Sequence, residues 1–179
     1  KRQLAQSLMD LMTTTPLEKI SVNDIVDHAG VGRNTFYYHF EDKYDLVNWY
    51  FQSGVTQFLV ERSAYASWDY LLENKVFYCN ALAYTGQNSL QQYIFDYLSS
   101  IFMQRAKELR PGIGADENLL VGRFFAGALM GILQPWVLGG MKTNTTRPSQ
   151  AVPLLSVDEL EVILRGELGE THEPGKPPQ

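Results

Sequence analysis

The sequence predicts an all-α protein, and three observations carry that prediction. Apolar residues recur at helical spacing along the chain, first over residues 3–12. Ser21 is followed three residues later by Asp24, a pair that can form a capping box at a helix start. No stretch alternates polar and apolar residues over the length of a useful strand. The expected architecture is a small helical head followed by a larger helical domain.

The head is predicted to contain three short helices and one long helix. These run over about 3–12, from the Ser21 cap to Gly30, over about 32–40, and from Asp42 to residue 59. Gly30 suits the left-handed residue that closes a helix, because glycine has no side chain to clash there. Asp42 can cap the next helix by accepting from the amide of Asp45.

The rest of the chain is predicted to form helices over about 70–85, 88–108, 116–139 and 157–168. Pro135 should bend or end the third of these. Residues 140–155 have the composition of a flexible loop, and the proline-rich tail that of a disordered segment. We therefore divide the chain into a head (1–46), a helical regulatory and dimerisation domain (47–168) and a tail (169–179).

Composition and charge restrict the function classes. The net charge of −5 argues against binding to nucleic acid by bulk attraction, and residues 1–50 hold five Lys and Arg against seven carboxylates. With Cys79 alone, no internal disulfide can form, and no basic, apolar leader is present, so we expect a cytoplasmic protein. The spacing of His28 and His39 does not suit a metal site. No cofactor is expected.

The most informative stretch is residues 21–43, in which two short helices are joined by a turn through Gly30. This is the arrangement of a helix-turn-helix, whose second helix enters the major groove of DNA. Arg33 and Asn34 begin that second helix. Their side chains suit guanine and adenine edges respectively, which predicts base contacts.

Tyr37 and Tyr38 follow one turn later, and two interpretations are open. They could be partly buried aromatic residues of a helical bundle, or their hydroxyls could donate to DNA phosphates. The surrounding residues favour phosphate contact. Lys43, in the first turn of the next helix, would add a cation beside free backbone amides, which together can bind phosphate.

Residues 30–43 read Gly-Val-x-x-x-Thr-Phe-Tyr-x-His-Phe-x-x-Lys, and this string resembles the head of the TetR family of transcriptional regulators. Ile25, Ala29 and Leu46 belong to the same resemblance, which covers about residues 1–50. One departure is Gly32, where such proteins commonly carry a capping Ser or Thr. The resemblance implies base or groove contacts by Arg33, Asn34 and Tyr38, and phosphate contacts by Thr35, Tyr37, His39 and Lys43.

The resemblance also implies a homodimer with a helical ligand-binding domain that binds a palindromic DNA operator. We expect a repressor whose half-sites lie about 34–36 Å apart or at a similar whole-turn spacing. The predicted dimer contact is formed by helices at about 116–139 and 157–168. Residues 74–78, 86–89 and 131–141 look like the branch of regulators that includes activators of dihydroxyacetone kinase operons.

An aromatic-rich region begins at Trp68. At helical spacing such residues are more often core than ligand cage, but several could line a pocket for an apolar, aromatic or hydroxylated effector. The candidate ligand residues are Trp68, Phe77, Tyr78, Tyr93, Tyr97 and Phe102.

Three alternatives remain open. The regulator could answer to a partner protein instead of a small molecule. The chain could be a helical enzyme or ligand carrier, although it has no nucleophile elbow, phosphate loop or metal spacing that supports catalysis. Residues 119–141 could span a membrane, but Arg123, Gln134 and Pro135 favour a dimer helix.

Overall fold

This computed structural model describes the backbone of residues 1–60 and 64–142 and the side chains of residues 1–54 and 69–142. Within those ranges every regular element is helical, which confirms the predicted all-α fold. In chain order the elements are α1 (Arg2–Met12), a 3₁₀ turn (Leu17–Lys19), α2 (Val22–Ala29), α3 (Arg33–His39), α4 (Lys43–Val60), α5 (Ala64–Glu73), α6 (Lys75–Ala81), α7 (Leu90–Leu109) and α8 (Ala115–Leu138).

The predicted helix ends in the head are confirmed by their hydrogen bonds. The Ser21 hydroxyl accepts from the Asp24 amide at 3.2 Å, and the Asp24 carboxylate accepts from the Ser21 amide at 2.8 Å. The bond from the Ser21 amide, together with one from the Ser21 hydroxyl to the same carboxylate at 2.7 Å, holds the pKa of Asp24 below its ordinary value. Gly30 closes α2 with φ 67°. Asp42 caps α4 by accepting from the Asp45 amide at 2.8 Å.

The helix predicted over 70–85 was wrong, because the chain forms two helices there. The break lies at Asn74, with φ −104° and ψ 28° between α5 and α6. The Asn74 side chain donates to the Tyr70 carbonyl at 2.9 Å, and its backbone amide donates to the same carbonyl at 3.1 Å, so the last turn of α5 keeps its helical bond and the break lies in the backbone angles of Asn74 itself. α6 then ends at Ala81, and the next helix begins after the Ser89 cap.

α8 packs alongside α7 and continues beyond its proline. Pro135 lies inside the helix, which ends three residues later at Leu138, so the proline neither ends α8 nor prevents its last turn. The two helices approach closely at buried Gly122, where an added Cβ would lie 2.7 Å from the Ser99 carbonyl. By length and composition α8 could cross a membrane. One side of it is packed against α7, as in the core helix of a globular domain.

The core is continuous between the head and the helices that follow it. Ile25 and Phe36 in the head belong to one buried cluster with Leu46 of α4 and Tyr78 of α6. Because α4 runs unbroken across residues 46 and 47, the domain boundary predicted there falls inside a helix and stays a prediction.

Several sequence predictions lie outside the described residues. These are the side chain of Trp68, the loop beyond residue 142, the helix at 157–168 and the tail at 169–179.

Candidate nucleic-acid interface

α3 is amphipathic and presents its predicted contact residues to solvent. Phe36 is fully buried, which fixes the face that α3 turns towards α1, α2 and α4. On the other side Tyr37 is 49% exposed and Tyr38 84% exposed. Tyr38 is therefore a surface residue, whereas Tyr37 is about half-exposed and also packs edge-on against Phe36, with ring centres 5.5 Å apart, so the phosphate contacts of both stay a prediction. The fully solvated face of α3 also carries Arg33, Asn34 and Thr35, whereas His39 is half-buried.

Arg33 and Tyr37 hold one another on this face. The Arg33 guanidinium donates to the Tyr37 hydroxyl at 3.1 Å and lies 5.6 Å from the centre of its ring. A hydrogen bond and a cation–π contact between the same two side chains restrict both of them. The Arg33 guanidinium, which is predicted to bind guanine, is thus held beside Tyr37, one helical turn further along α3.

Lys43 has a structural role that sequence reasoning missed. Its ammonium donates to the carbonyls of Leu17 at 2.8 Å, Glu18 at 3.0 Å and Ile20 at 2.7 Å. An ammonium has three N–H donors, so all of them are used. Burial lowers the pKa of Lys43. The predicted phosphate contact stays a prediction, and it requires the ammonium to exchange a carbonyl for a phosphate oxygen.

α1 supports the end of α2 through polar contacts. Gln3 donates to the Ala29 carbonyl at 2.7 Å, and the buried Ser7 hydroxyl donates to the Ile25 carbonyl at 2.7 Å. His28 Nδ1 lies 3.2 Å from the same hydroxyl. Ser7 could have been recognised in the sequence, because it is a polar residue on the apolar face of α1. These contacts orient the turn that leads into α3.

The predicted ligand residues do not form one group. Tyr78, Tyr93 and Tyr97 surround Phe51, with ring centres 6.4, 6.0 and 6.0 Å from its own. Phe51 was not predicted to belong to this cluster. Phe77 lies beside Tyr78, with ring centres 5.0 Å apart.

Phe102 belongs to a separate cluster, in which it packs against Phe125 at 5.3 Å. Phe77 and Tyr78 are fully buried, and burial raises the pKa of the Tyr78 hydroxyl. Four of the predicted residues therefore share the core between α4, α6 and α7, and Phe102 does not.

An open groove lies elsewhere, between the α6–α7 loop and α8. Its volume is about 640 Å³. It is uncharged, since its described lining consists of amides, hydroxyls, glycine and two apolar side chains: Thr85, Gly86, Gln87, Asn88, Ser89, Gln91, Gln92, Phe95, Met130 and Gln134. None of the predicted ligand residues is among these. The signal missed in the sequence was the run of neutral polar residues over 85–92.

Comparison with known proteins agrees with this geometry. The model of bacterial regulatory proteins of the tetR family matches residues 7–53, which contain the exposed face of α3. A second model, of a transcriptional regulator C-terminal region, matches residues 61–151, just over half of the chain. The chain belongs to the TetR family. The predicted family and the prediction that the chain is a transcriptional regulator and not an enzyme are confirmed.

The relatives of this TetR-family chain include the HTH-type dhaKLM operon transcriptional activator DhaS of Lactococcus lactis subsp. lactis (strain IL1403). The two are 32% identical over 83 residues, which are 42% of this chain and 44% of that activator. A solved structure of a dihydroxyacetone kinase operon activator DhaS has 21% identity, a TM-score of 0.52, and coverage of 93% of this chain and 92% of that chain. That likeness is one of fold.

Proposed function

We propose that the chain binds a palindromic DNA operator as a homodimer, with α3 of each protomer in a major groove. The exposed face of α3 carries this proposal. Arg33, Asn34 and Tyr38 would contact bases or the groove floor. Thr35, Tyr37, His39 and Lys43 would contact phosphates. Such a regulator works in the cytoplasm, where its operator is.

The proposed dimer contact is the solvent-facing side of α8. Leu120 and Phe124 are each 69% exposed and Leu138 is 48% exposed, and the three lie along one face. Gly127 and Gly131 lie between them on that face. Large apolar side chains left in water on one stripe are typical of an interaction surface, and a two-fold axis would pair the stripe with itself.

The two glycines give independent support for this interface. An added Cβ at Gly131 meets nothing described within 4 Å, and one at Gly127 meets only Phe95, at 3.9 Å. Packing inside the described part of the chain therefore does not require glycine at either position. Glycine in a helix interior costs about 1 kcal/mol relative to alanine. A second α8 that approaches closely would explain that cost.

For the effector we propose a small neutral molecule bound in the regulatory part of the chain. The groove beside α8 has the volume of a small-molecule site and no charged lining residue among those described. The tight packing of Phe77 and Tyr78 favours a second candidate, in which a partner protein controls the head. Both named relatives are activators, which favours activation over the repression expected from the sequence.

The DNA-binding proposal is tested by fluorescence anisotropy with DNA from upstream of the gene and with random DNA. Arg33→Ala should lose preference for the specific sequence, because a base contact is removed. Tyr37→Phe should weaken binding to both, because it removes a phosphate donor. If Arg33→Ala weakens binding equally to both DNAs, Arg33 does not read bases.

The dimer is tested by sedimentation of Phe124→Glu beside Val76→Glu as a control. Both residues are exposed and apolar, at 69% and 50%, but Val76 lies on α6, away from the proposed interface. Phe124→Glu should be monomeric and Val76→Glu dimeric. A dimer that survives Phe124→Glu would rule out this face.

Regulation by a small molecule is distinguished from regulation by a partner protein by melting temperatures. They are measured with candidate metabolites and again with candidate partner proteins, and whichever binds the folded chain raises the melting temperature.

A further inference from the structure

Asn80 links α6 to the head through three hydrogen bonds. Its side-chain oxygen accepts from the Leu17 amide at 2.7 Å. Its side-chain nitrogen donates to the carbonyls of Met12 and Thr15, each at 3.1 Å. The Asn80 side-chain amide thereby contacts residues that lie 63 to 68 positions earlier in the chain. We call residues 13–20, which connect α1 to α2, the head turn.

The three backbone groups lie where α1 has ended and need partners. Met12 is the last residue of α1, so its carbonyl has no helical partner further along. The head turn then passes through Pro16, which has no amide hydrogen to donate. The Asn80 amide can donate twice and accept, and it matches two carbonyls and one amide in this turn. Sequence patterns gave no sign of this, since the residue lies far along the chain.

The head turn is held from two sides at once. Lys43 of α4 bonds to the carbonyls of residues 17, 18 and 20, whereas Asn80 of α6 bonds to the opposite side of the turn. Leu17 takes part in both sets, with its amide bonded to Asn80 and its carbonyl to Lys43. The leucine side chain is buried. A shift of α6 relative to α4 would therefore act on this residue.

α6 is in turn tied into the regulatory part of the chain. Cys79 donates to the Val137 carbonyl of α8 at 3.2 Å, and Phe77 and Tyr78 are buried in the core. Asn80 is thus the residue of α6 that faces the head, next to residues that face α8 and the core. Packed helices move as units, so a displacement of α6 would be carried to the head turn.

We propose that Asn80 is a positioning residue that fixes the head turn relative to α6, so that a movement of α6 is carried to that turn. Its contacts with the head do not depend on DNA, and the regulatory consequence rests on the proposed function. The test therefore measures the position of the head in the free protein, and DNA binding is measured separately.

The experiment is a distance measurement between two spin labels. Labels are placed at the exposed residues Asn23 of α2 and Lys107 of α7, in a Cys79→Ser background. Excess unlabelled protein ensures that only distances within one chain are observed, whatever the oligomeric state. Asn80→Leu, which keeps a similar size but removes all three bonds, is compared with Asn80→Asp, which keeps an acceptor for the Leu17 amide.

The matched control is Gln6→Leu. The Gln6 side chain donates to the Asp10 carboxylate at 2.8 Å, which is a side-chain amide bond made within α1 and not between the head and α6. We expect one narrow distance distribution for the background protein and for the control. Asn80→Leu should broaden or shift it, and so should Asn80→Asp, because a carboxylate oxygen would then face the Met12 and Thr15 carbonyls in place of the donating nitrogen.

Amide exchange gives a second measurement that is independent of the labels. In Asn80→Leu, exchange of the Leu17 amide should speed up by about tenfold, the equivalent of about 1.4 kcal/mol for a lost hydrogen bond. An unchanged distance distribution in Asn80→Leu would overturn the proposal, and so would equal broadening by Gln6→Leu. If the chain binds no DNA but Asn80→Leu moves the head, the proposed function fails and the positioning role stands.

Discussion

Replacement of Lys43 by methionine should destabilise the protein markedly although Lys43 lies near the surface. The ammonium makes three hydrogen bonds of 2.7–3.0 Å to carbonyls of the head turn. Methionine has nearly the same length and keeps the apolar contacts of the lysine stem, but it cannot donate. The substitution therefore removes the three bonds, together with the contact of the ammonium with the Tyr44 ring, whose centre lies 5.2 Å away.

The magnitude follows from the surroundings of each carbonyl. The bonds to Leu17 and Ile20 are partly buried, whereas the bond to Glu18 is exposed. An exposed carbonyl is rehydrated at little cost. Each partly buried one left without a partner costs about 1–1.5 kcal/mol. The expected loss is about 2–3 kcal/mol, which lowers the melting temperature by about 4–12 °C in a chain of this size.

The assay is urea denaturation followed by circular dichroism at 222 nm. The control is Lys19→Met in the same turn, since Lys19 is exposed and its ammonium makes no hydrogen bond to a described residue. Lys19→Met should change the free energy of unfolding by less than about 0.5 kcal/mol. Equal effects of the two substitutions would refute the reasoning, because the loss would then reflect the removal of a charge and not of three bonds.

Three further predictions concern the backbone and the thiol. In urea denaturation, Gly30→Ala should cost about 1–2 kcal/mol through its φ of 67° alone, since an added Cβ meets nothing within 4 Å, and Gly30→Asn should cost less. Gly122→Ala should cost about 1–3 kcal/mol because its Cβ would lie 2.7 Å from the Ser99 carbonyl oxygen, a backbone atom of α7. Gly127→Ala should be harmless within one subunit, so that any loss of stability there reports on the proposed dimer contact. Cys79 should react slowly with a maleimide in the native protein, because burial raises the pKa of its thiol. The reaction rate should still increase with pH at values above the ordinary thiol pKa. A rate equal to that in urea would contradict this prediction.

The helices of the head could be predicted well because their signals are local. A capping box, a left-handed glycine and an aspartate cap each depend on residues within four positions, and all three are present in the structure. The error over 70–85 has the opposite cause. The apolar pattern continues across Asn74, and the break lies in the backbone angles of that one residue, whose side chain is held by Tyr50 of α4 and by the Tyr70 carbonyl. A hydrophobic pattern gives no indication of those angles.

The interface could be predicted in part for the same reason. The buried face of α3 follows from the spacing of Phe36 and Phe40, so the exposure of Tyr37 and Tyr38 could be predicted from the sequence. The aromatic cluster was not, since proximity of Tyr78 and Tyr93 to Phe51 depends on how α4, α6 and α7 pack. Separate helices bring those rings together, and the distance along the chain gives no indication of it.

The charge of the head gives these findings a common consequence. Seven carboxylates against five Lys and Arg cannot attract DNA strongly, so binding must depend on donors held in place. Lys43, which is predicted to contribute a phosphate contact, bonds to the head turn in the free protein, and Asn80 bonds to the same turn from α6. Polar groups in this head therefore serve largely to fix its shape. For the proposed DNA complex we therefore expect a displacement of α6 to change affinity, because the donors of α3 keep their positions only while the head keeps its shape.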